Sequence, residues 1–210
     1  FAPPEILPDI ELEEKNNNNI FTFCSFNNYQ KISNRTVDVW SQILKNTKSQ
    51  LLLKTSHAGD IDDLKNNILD KFINNGVSTD QIVFLNREKE IHEHLKLYNK
   101  ANIALDTFPY PGVTTSFEAI IMGVPVLTMK GFNMNSRCGE SINKNIKMDY
   151  LLAENDEDYI KKAISLIKEK NNFVIHGKSL REKALSSPLF DSEGFVKDFE
   201  NILKQVVDKH

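Results

Sequence analysis

Four residues within one short stretch, Gly112, Thr114, Thr115 and Glu118, have the types and spacing to hold an anion and a diol. They follow a dense turn signal, with Pro109, Pro111 and Gly112 in sequence. They open a segment in which Phe117, Ala119, Ile120 and Ile121 supply an apolar helix face. A helix with Thr114 as its N-cap leaves backbone N–H groups of its first turn unpaired, and the helix dipole adds partial positive charge there. Gly112 lets a ligand approach the backbone, and the two threonine hydroxyls add donors, a combination that suits a phosphate or pyrophosphate. Glu118 lies one turn further along the same face, where a carboxylate accepts hydrogen bonds from a ribose diol. The same residues also read as an ordinary capped β-α-β unit, with Thr114 as cap and Glu118 as an acid complementing the dipole. Short motifs match by chance, and from these residues alone both readings stay open.

A site of this kind needs a sheet edge behind it. The apolar runs at 20–26, 50–54, 81–85, 102–105 and 124–129 read as strands. Helical spacing falls between them. A helix capped by Ser33 or Asn34 runs through Val37, Trp40, Ile43 and Leu44, and others cover 61–74, 88–99 and the stretch from Thr114. Gly76 and Gly123 end two of these helices by permitting left-handed backbone, and Pro125 prevents the second from resuming. Strict alternation of strand and helix with short connections predicts an α/β fold, a Rossmann-like parallel sheet with helices on both faces. Ligands of such sheets bind beyond the carboxyl ends of the strands. Three polar stretches fall at that edge: 27–31, the entry to the helix at Glu88, and 112–115. After Met129 the pattern turns helical, with segments at 136–145, 156–170, 173–185 and 192–207 that make a helical C-terminal tail. Residues 1–19 hold three prolines, an acidic run and four asparagines, and read as a linker from something upstream. Phe1 is not a start methionine, so the sequence is expected to begin inside a longer chain.

Composition narrows the function class. The net charge is −3, with lysines scattered among acids, which gives no nucleic-acid footprint. No apolar run approaches the roughly 20 residues that span a bilayer. Cys24 and Cys138 have neither metal-ligand nor disulfide-framework spacing, so a reducing cytoplasm is the expected location. No cluster of His, Cys and carboxylates has metal-site spacing, and no Ser-His-Asp set or paired carboxylates can be assembled. Lys31 follows the first strand and can act as a point charge on a diphosphate, although most loop lysines are merely solvated. His94 can stack on a base or simply sit half-exposed on its helix, and His57 and His92 have no supporting context. Asp106 reads as a brace for the turn that follows it.

Four segments, taken together and in this order, carry a resemblance: SFNNYQKIS at 25–33, LDTFPYPGVTTSFEAIIMGVPVLTMKG at 105–131, Ser136-Arg137, and SPLFDSEGFVKDFE at 187–200. This set resembles the catalytic region of protein O-GlcNAc transferases, family 41 of the glycosyltransferases, which includes bacterial members with tetratricopeptide repeats. The match covers about residues 20–205. It implies a GT-B architecture of two Rossmann-like lobes preceded by a helical repeat array. Residues 20–210 then form the C-terminal, nucleotide-sugar-binding lobe. By resemblance, Asn28 and Lys31 contact the diphosphate, Thr114 and Thr115 mark the phosphate-binding helix start, Glu118 replaces a ribose-binding acid that is Asp in some members, and His94 stacks on uracil. Three positions depart from the family: Cys24 stands where Gly is common, Val113 where His or Gly is found, and Ile91 where some members have a Lys near the base.

The resemblance implies inverting transfer of N-acetylglucosamine from UDP-GlcNAc to Ser and Thr hydroxyls of a protein acceptor. It implies neither metal nor other cofactor. Lys31 takes the catalytic role of stabilising the leaving diphosphate. The family's catalytic histidines lie on the N-terminal lobe, so no general base is assigned here and this part alone is expected to lack a full active site. Related proteins use GDP-fucose, or transfer glucose from UDP-glucose to asparagine. These alternatives, and a nucleotide-binding module without turnover, stay open. The expected partners are the nucleotide-sugar donor, the protein acceptor and the upstream lobe with its repeat array, with no nucleic acid and no membrane.

Overall fold

The structure is a computed structural model that describes residues 10–13, 20–55, 62–168 and 173–208. His57, Ile61 and most of the expected linker over 1–19 lie outside these residues. The described part of that linker packs on the domain: Ile10 is buried, and its carbonyl accepts from the Arg181 guanidinium at 2.8 Å.

Six parallel strands form one sheet among the described residues: β1 (Phe21–Ser25), β2 (Ser49–Leu53), β3 (Ile82–Phe84), β4 (Ile103–Leu105), β5 (Val126–Met129) and β6 (Leu152–Ala153). The spatial order is β3-β2-β1-β4-β5-β6. Phe23 of β1 lies opposite Leu51 of β2 on one side and Ile103 of β4 on the other. The central strands β1 and β4 are buried along their whole length, as helices on both faces require; β4 is a continuous apolar run, and β1 buries Thr22 and Ser25 among its apolar residues. β6 has no counterpart among the expected strands. It is two residues long, pairing Leu152 with Thr128 and Ala153 with Met129, and two residues display no period.

The helices are α1 (Asn34–Lys45), α2 (Asp62–Asn74), α3 (Ile91–Lys96), α4 (Thr114–Ile121), α5 (Cys138–Asn145), α6 (Asp156–Lys168), α7 (Phe173–Leu185) and α8 (Ser192–Val207). Ser33 caps α1 by accepting from the Thr36 N–H at 3.1 Å, and Asp191 caps α8 by accepting from the Gly194 N–H at 2.8 Å. Gly76 and Gly123 end α2 and α4 with φ of 81° and 67°, as their positions in the sequence require. The expected helix over 88–99 is shorter in its α part. α3 stops at Lys96 and a 3-10 turn, Leu97–Lys100, completes it.

From β1 the chain steps outward through β2 to β3, then returns to β4 and steps the other way to β5 and β6. Right-handed crossovers in opposite directions put the connecting helices on opposite faces. Accordingly α1 packs against α2 and α6, and α4 packs against α5 and α7. The reversal falls between β1 and β4. Their carboxyl ends therefore part to leave a crevice, where sheets of this kind hold ligands. α8 differs from the other long helices. It buries no residue, and Phe195, Phe199, Ile202 and Val206 are all exposed along it.

Candidate functional site

The two loops at the β1/β4 reversal carry the expected residues. After β1, Asn28 caps the 3-10 turn Tyr29–Lys31 by accepting from the Gln30 N–H at 3.0 Å. That turn lifts Lys31 against the opposite loop. Its Nζ donates to the Pro111 carbonyl at 3.0 Å and lies 4.4 Å from the centre of the Tyr110 ring. Burial pushes the Lys31 ammonium below its usual range, while Asp106 and Cys138 pull it back up.

After β4, Asp106 holds the loop in shape, as its position in the sequence suggests. Its Oδ1 accepts from the Thr107 N–H at 3.0 Å, the Gly112 N–H at 2.6 Å and the Asn27 amide at 3.4 Å, and its Oδ2 accepts from the Thr128 hydroxyl at 2.9 Å. Burial nevertheless wins over these donors and raises the carboxyl to about 6. The loop contains a cis peptide bond between Phe108 and Pro109.

The start of α4 departs from expectation in three ways. Val113, not Thr114, occupies the N-cap, and it offers no side-chain cap. Thr114 is the first helical residue and is exposed. Because a valine cannot accept a hydrogen bond, the N–H groups of Thr114 and Thr115 have no acceptor among the described residues. The start of α4 thus keeps unpaired backbone donors through the absence of a cap. The second departure concerns Thr115, whose hydroxyl donates to Asn27 Oδ1 at 2.9 Å and is already engaged. The third concerns Gly112. A Cβ there would lie 2.5 Å from Thr115 Oγ1, 2.8 Å from Ser116 Oγ and 2.9 Å from Asn27 Oδ1. The packing of the turn on α4 by itself requires glycine here.

One turn on, Glu118 is buried, yet its carboxylate is only half used. Oε2 accepts from His94 at 2.9 Å and from the Tyr98 hydroxyl at 3.2 Å, and Oε1 has no partner among the described residues. The Tyr98 hydroxyl shares its one proton between Glu118 Oε2 and the Thr115 carbonyl at 3.1 Å, so it ties α4 to the segment carrying His94. Burial, reinforced by Glu118, pushes the Tyr98 phenol well above its ordinary range and keeps it a donor. His94 lies 6.3 Å from the Phe26 ring centre and 5.9 Å from that of Tyr98. Its other ring nitrogen, Nδ1, is 2.7 Å from Lys54 Nζ at the end of β2.

The six expected residues do not form one cluster. Lys31, Thr114 and Thr115 surround the 106–112 loop, and His94 and Glu118 form a second, buried group one turn along α4. Among the described residues, Asn28 bonds only within its own turn. Asn27, Tyr98 and Lys54 bond to the expected residues Thr115, Glu118 and His94; Asn27 falls in the polar stretch 27–31 but was not singled out, and Tyr98 and Lys54 were not among the candidates. The available signal for Lys54 was a single charge directly following the apolar run of β2 at the carboxyl edge. Ser136 and Arg137 have structural work: Ser136 Oγ accepts from the N–H groups of Phe132 and Asn133, and Arg137 pairs with Glu140. Among the described residues no group of His, Cys, Asp and Glu could hold a metal ion, and no helix is long and apolar enough to cross a membrane.

The chain is similar in sequence and fold to known proteins. The family model for glycosyl transferase family 41 matches residues 12–199. A probable UDP-N-acetylglucosamine–peptide N-acetylglucosaminyltransferase SPINDLY from Solanum lycopersicum is 32% identical over 189 residues, 90% of this chain and 20% of its own length. A UDP-N-acetylglucosamine–peptide N-acetylglucosaminyltransferase from Caenorhabditis elegans is 27% identical over 88% of this chain and 16% of its own length. Among solved structures, a Thermobaculum terrenum O-GlcNAc transferase mutant superposes with a TM-score of 0.81 and 26% identity, covering 95% of this chain and 38% of that one. The chain therefore spans about a fifth of the length of the curated relatives it matches.

Proposed function

The chain belongs to glycosyl transferase family 41, and from that premise we propose that it is the donor-binding lobe of an inverting transferase that moves N-acetylglucosamine from UDP-GlcNAc to Ser and Thr hydroxyls of protein acceptors. The observation that carries this reading is the pairing, on one short helix, of an uncapped N-terminus with a half-used carboxylate one turn further on. The diphosphate takes the free N–H groups of Thr114 and Thr115. The ribose diol donates to Glu118 Oε1. The base lies against His94.

In this reading Lys31 exchanges the Pro111 carbonyl for a diphosphate oxygen. Its charge and the α4 dipole then offset the negative charge that builds on the leaving group as the glycosidic bond breaks. The reading needs no metal for that role. The acceptor hydroxyl must lose a proton, and the site's own titratable groups are committed elsewhere: Asp106 is saturated and His94 is held between Lys54 and Glu118. A base from an upstream lobe fits this gap. The rest of such a protein would supply that lobe and a helical repeat array that gathers acceptors. Two free thiols fit a reducing cytoplasm.

Calorimetry with UDP, uridine and pyrophosphate on the 210-residue chain tests the donor site. UDP is expected to bind at least tenfold tighter than either part, since the two ends of the crevice contribute together. Equal, weak binding of all three would reject the reading.

A further inference from the structure

Lys54 is 3% exposed, and so it is shielded from any ligand in the crevice. A buried lysine needs a reason, because burial disfavours its charge. Its ammonium is pushed down by burial and supported by Glu118 and Glu88. Its nearest polar partner is the His94 ring: Nζ stands 2.7 Å from His94 Nδ1. It also lies 5.7 Å from the centre of the Phe26 ring, whose face favours a cation.

We propose that Lys54 is a positioning residue for the nucleoside end of the donor site, acting through the tautomer of His94. An ammonium has three donors and no acceptor, so His94 Nδ1 must present its lone pair. The ring proton then sits on Nε2, which points at Glu118 Oε2 at 2.9 Å. With the Tyr98 hydroxyl as a second donor at 3.2 Å, Oε2 is held in place and Oε1 is left without a partner among the described residues. The order Lys54 to His94 to Glu118 thus fixes both the ring against which the base lies and the carboxylate that receives the ribose. Without Lys54, His94 is free to place its proton on Nδ1. It then presents a lone pair to Glu118, and the two acceptors repel.

This inference rests on the donor-site reading for its consequence, but the tautomer itself can be measured without ligand. Nitrogen-15 NMR of histidine-labelled chain, with His94 assigned by its loss in His94→Gln, is expected to show Nε2 protonated and Nδ1 unprotonated. Lys54→Met is expected to abolish that fixed pattern, and Lys54→Arg, which keeps a charged donor, to retain it. In binding, Lys54→Met should weaken UDP by about tenfold or more, as for a lost charge-assisted hydrogen bond, and change pyrophosphate less than twofold. In a His94→Gln background the same change should have no further effect on UDP. A proton on Nδ1 in the unaltered chain would overturn the proposal, whether or not Lys54→Met folds. So would an unchanged pattern in Lys54→Met, or an equal loss of UDP and pyrophosphate. If the unaltered chain binds no UDP, the donor-site reading fails, and the tautomer still decides the role of Lys54.

Discussion

Two buried carboxylates, Asp106 and Glu118, stand at the two ends of the crevice and are treated in opposite ways. Asp106 is 2% exposed and takes four donors from the surrounding loop and β5, so nothing of it is left for a ligand. Glu118 is 9% exposed and takes two donors on one oxygen only. The first is a brace and the second is an offer. The difference extends to what each end presents. At the proposed phosphate end the side chains are already engaged, Thr115 with Asn27 and Lys31 with the Pro111 carbonyl, and the donors unpaired among the described residues are backbone N–H groups. At the nucleoside end the backbone is satisfied and side chains hold the open valence. A saturated acid beside a functional loop therefore shapes the loop, and a half-saturated one is a candidate contact. Burial alone does not separate the two.

The contrast breaks most visibly with pH. The Asp106 carboxyl rises from 3.8 to about 6 on folding, which corresponds to about 3 kcal/mol. Its folded pKa is above its unfolded one, so the folded chain holds the proton longer. Stability from this group is greatest at low pH, falls as pH rises from about 4 to about 6, and is level above that. An Asp106→Asn variant lacks this loss. Its stability relative to the unaltered chain should increase by about 2 kcal/mol between pH 4 and pH 7, read from urea melts at each pH. A difference that stays constant across that range would mean that the four donors keep the carboxyl ionised, and that Asp106 is a charged element of the phosphate end.

The second test separates the ends by ligand. Lys31→Ala should weaken pyrophosphate and UDP alike, by about 1.5–3 kcal/mol for a charge-assisted contact, and leave uridine unchanged. Glu118→Gln should weaken uridine and UDP by about 1–3 kcal/mol and spare pyrophosphate, or even improve it. Calorimetry with the three ligands gives a two-by-three pattern. If both variants lose all three ligands equally, the ends are one cooperative unit and the comparison dissolves.

Much of this was legible in the sequence, and for identifiable reasons. The alternation of apolar strands with helices of 3.6 period fixes a parallel sheet, and a parallel sheet fixes which edge carries ligands. Gly76 and Gly123 marked helix ends because only left-handed backbone fits there. The brace role of Asp106 followed from its place before two prolines and a glycine. What stayed hidden depends on contacts distant in sequence. Thr115 and Asn27 are 88 residues apart, and Lys54 and His94 are 40 apart. Neither pairing leaves a local mark. Thr114 was misplaced as the cap because threonine is a good capping residue and valine is not. Here the rule fails where function would benefit from its failure, since a capped helix start has fewer donors to give an anion. β6 was missed because its two residues carry no pattern.

The smallest effect is expected at Thr115, and it sharpens the comparison most finely. The sequence suggests a hydroxyl donor to phosphate, but in the structure that proton goes to Asn27 Oδ1 at 2.9 Å. Asn27 in turn donates from its amide to Asp106 at 3.4 Å, so Thr115 closes a chain that begins at the brace. Thr115→Val keeps the shape of the side chain and removes the hydroxyl. It leaves Asn27 Oδ1 without its donor in a buried place, which should cost about 1–3 kcal/mol of stability. The N–H groups at the start of α4 remain where they are, because Val113 and the turn before it are untouched. Pyrophosphate affinity should therefore fall by less than about 1 kcal/mol, well short of the Lys31→Ala loss. Melting temperature and pyrophosphate calorimetry on the same variant read the two quantities apart. A loss of pyrophosphate as large as that of Lys31→Ala would show that the hydroxyl turns from Asn27 to the ligand on binding. The phosphate end would then offer side chains as the nucleoside end does, and the distinction between a spent and an open donor would hold only for the empty crevice.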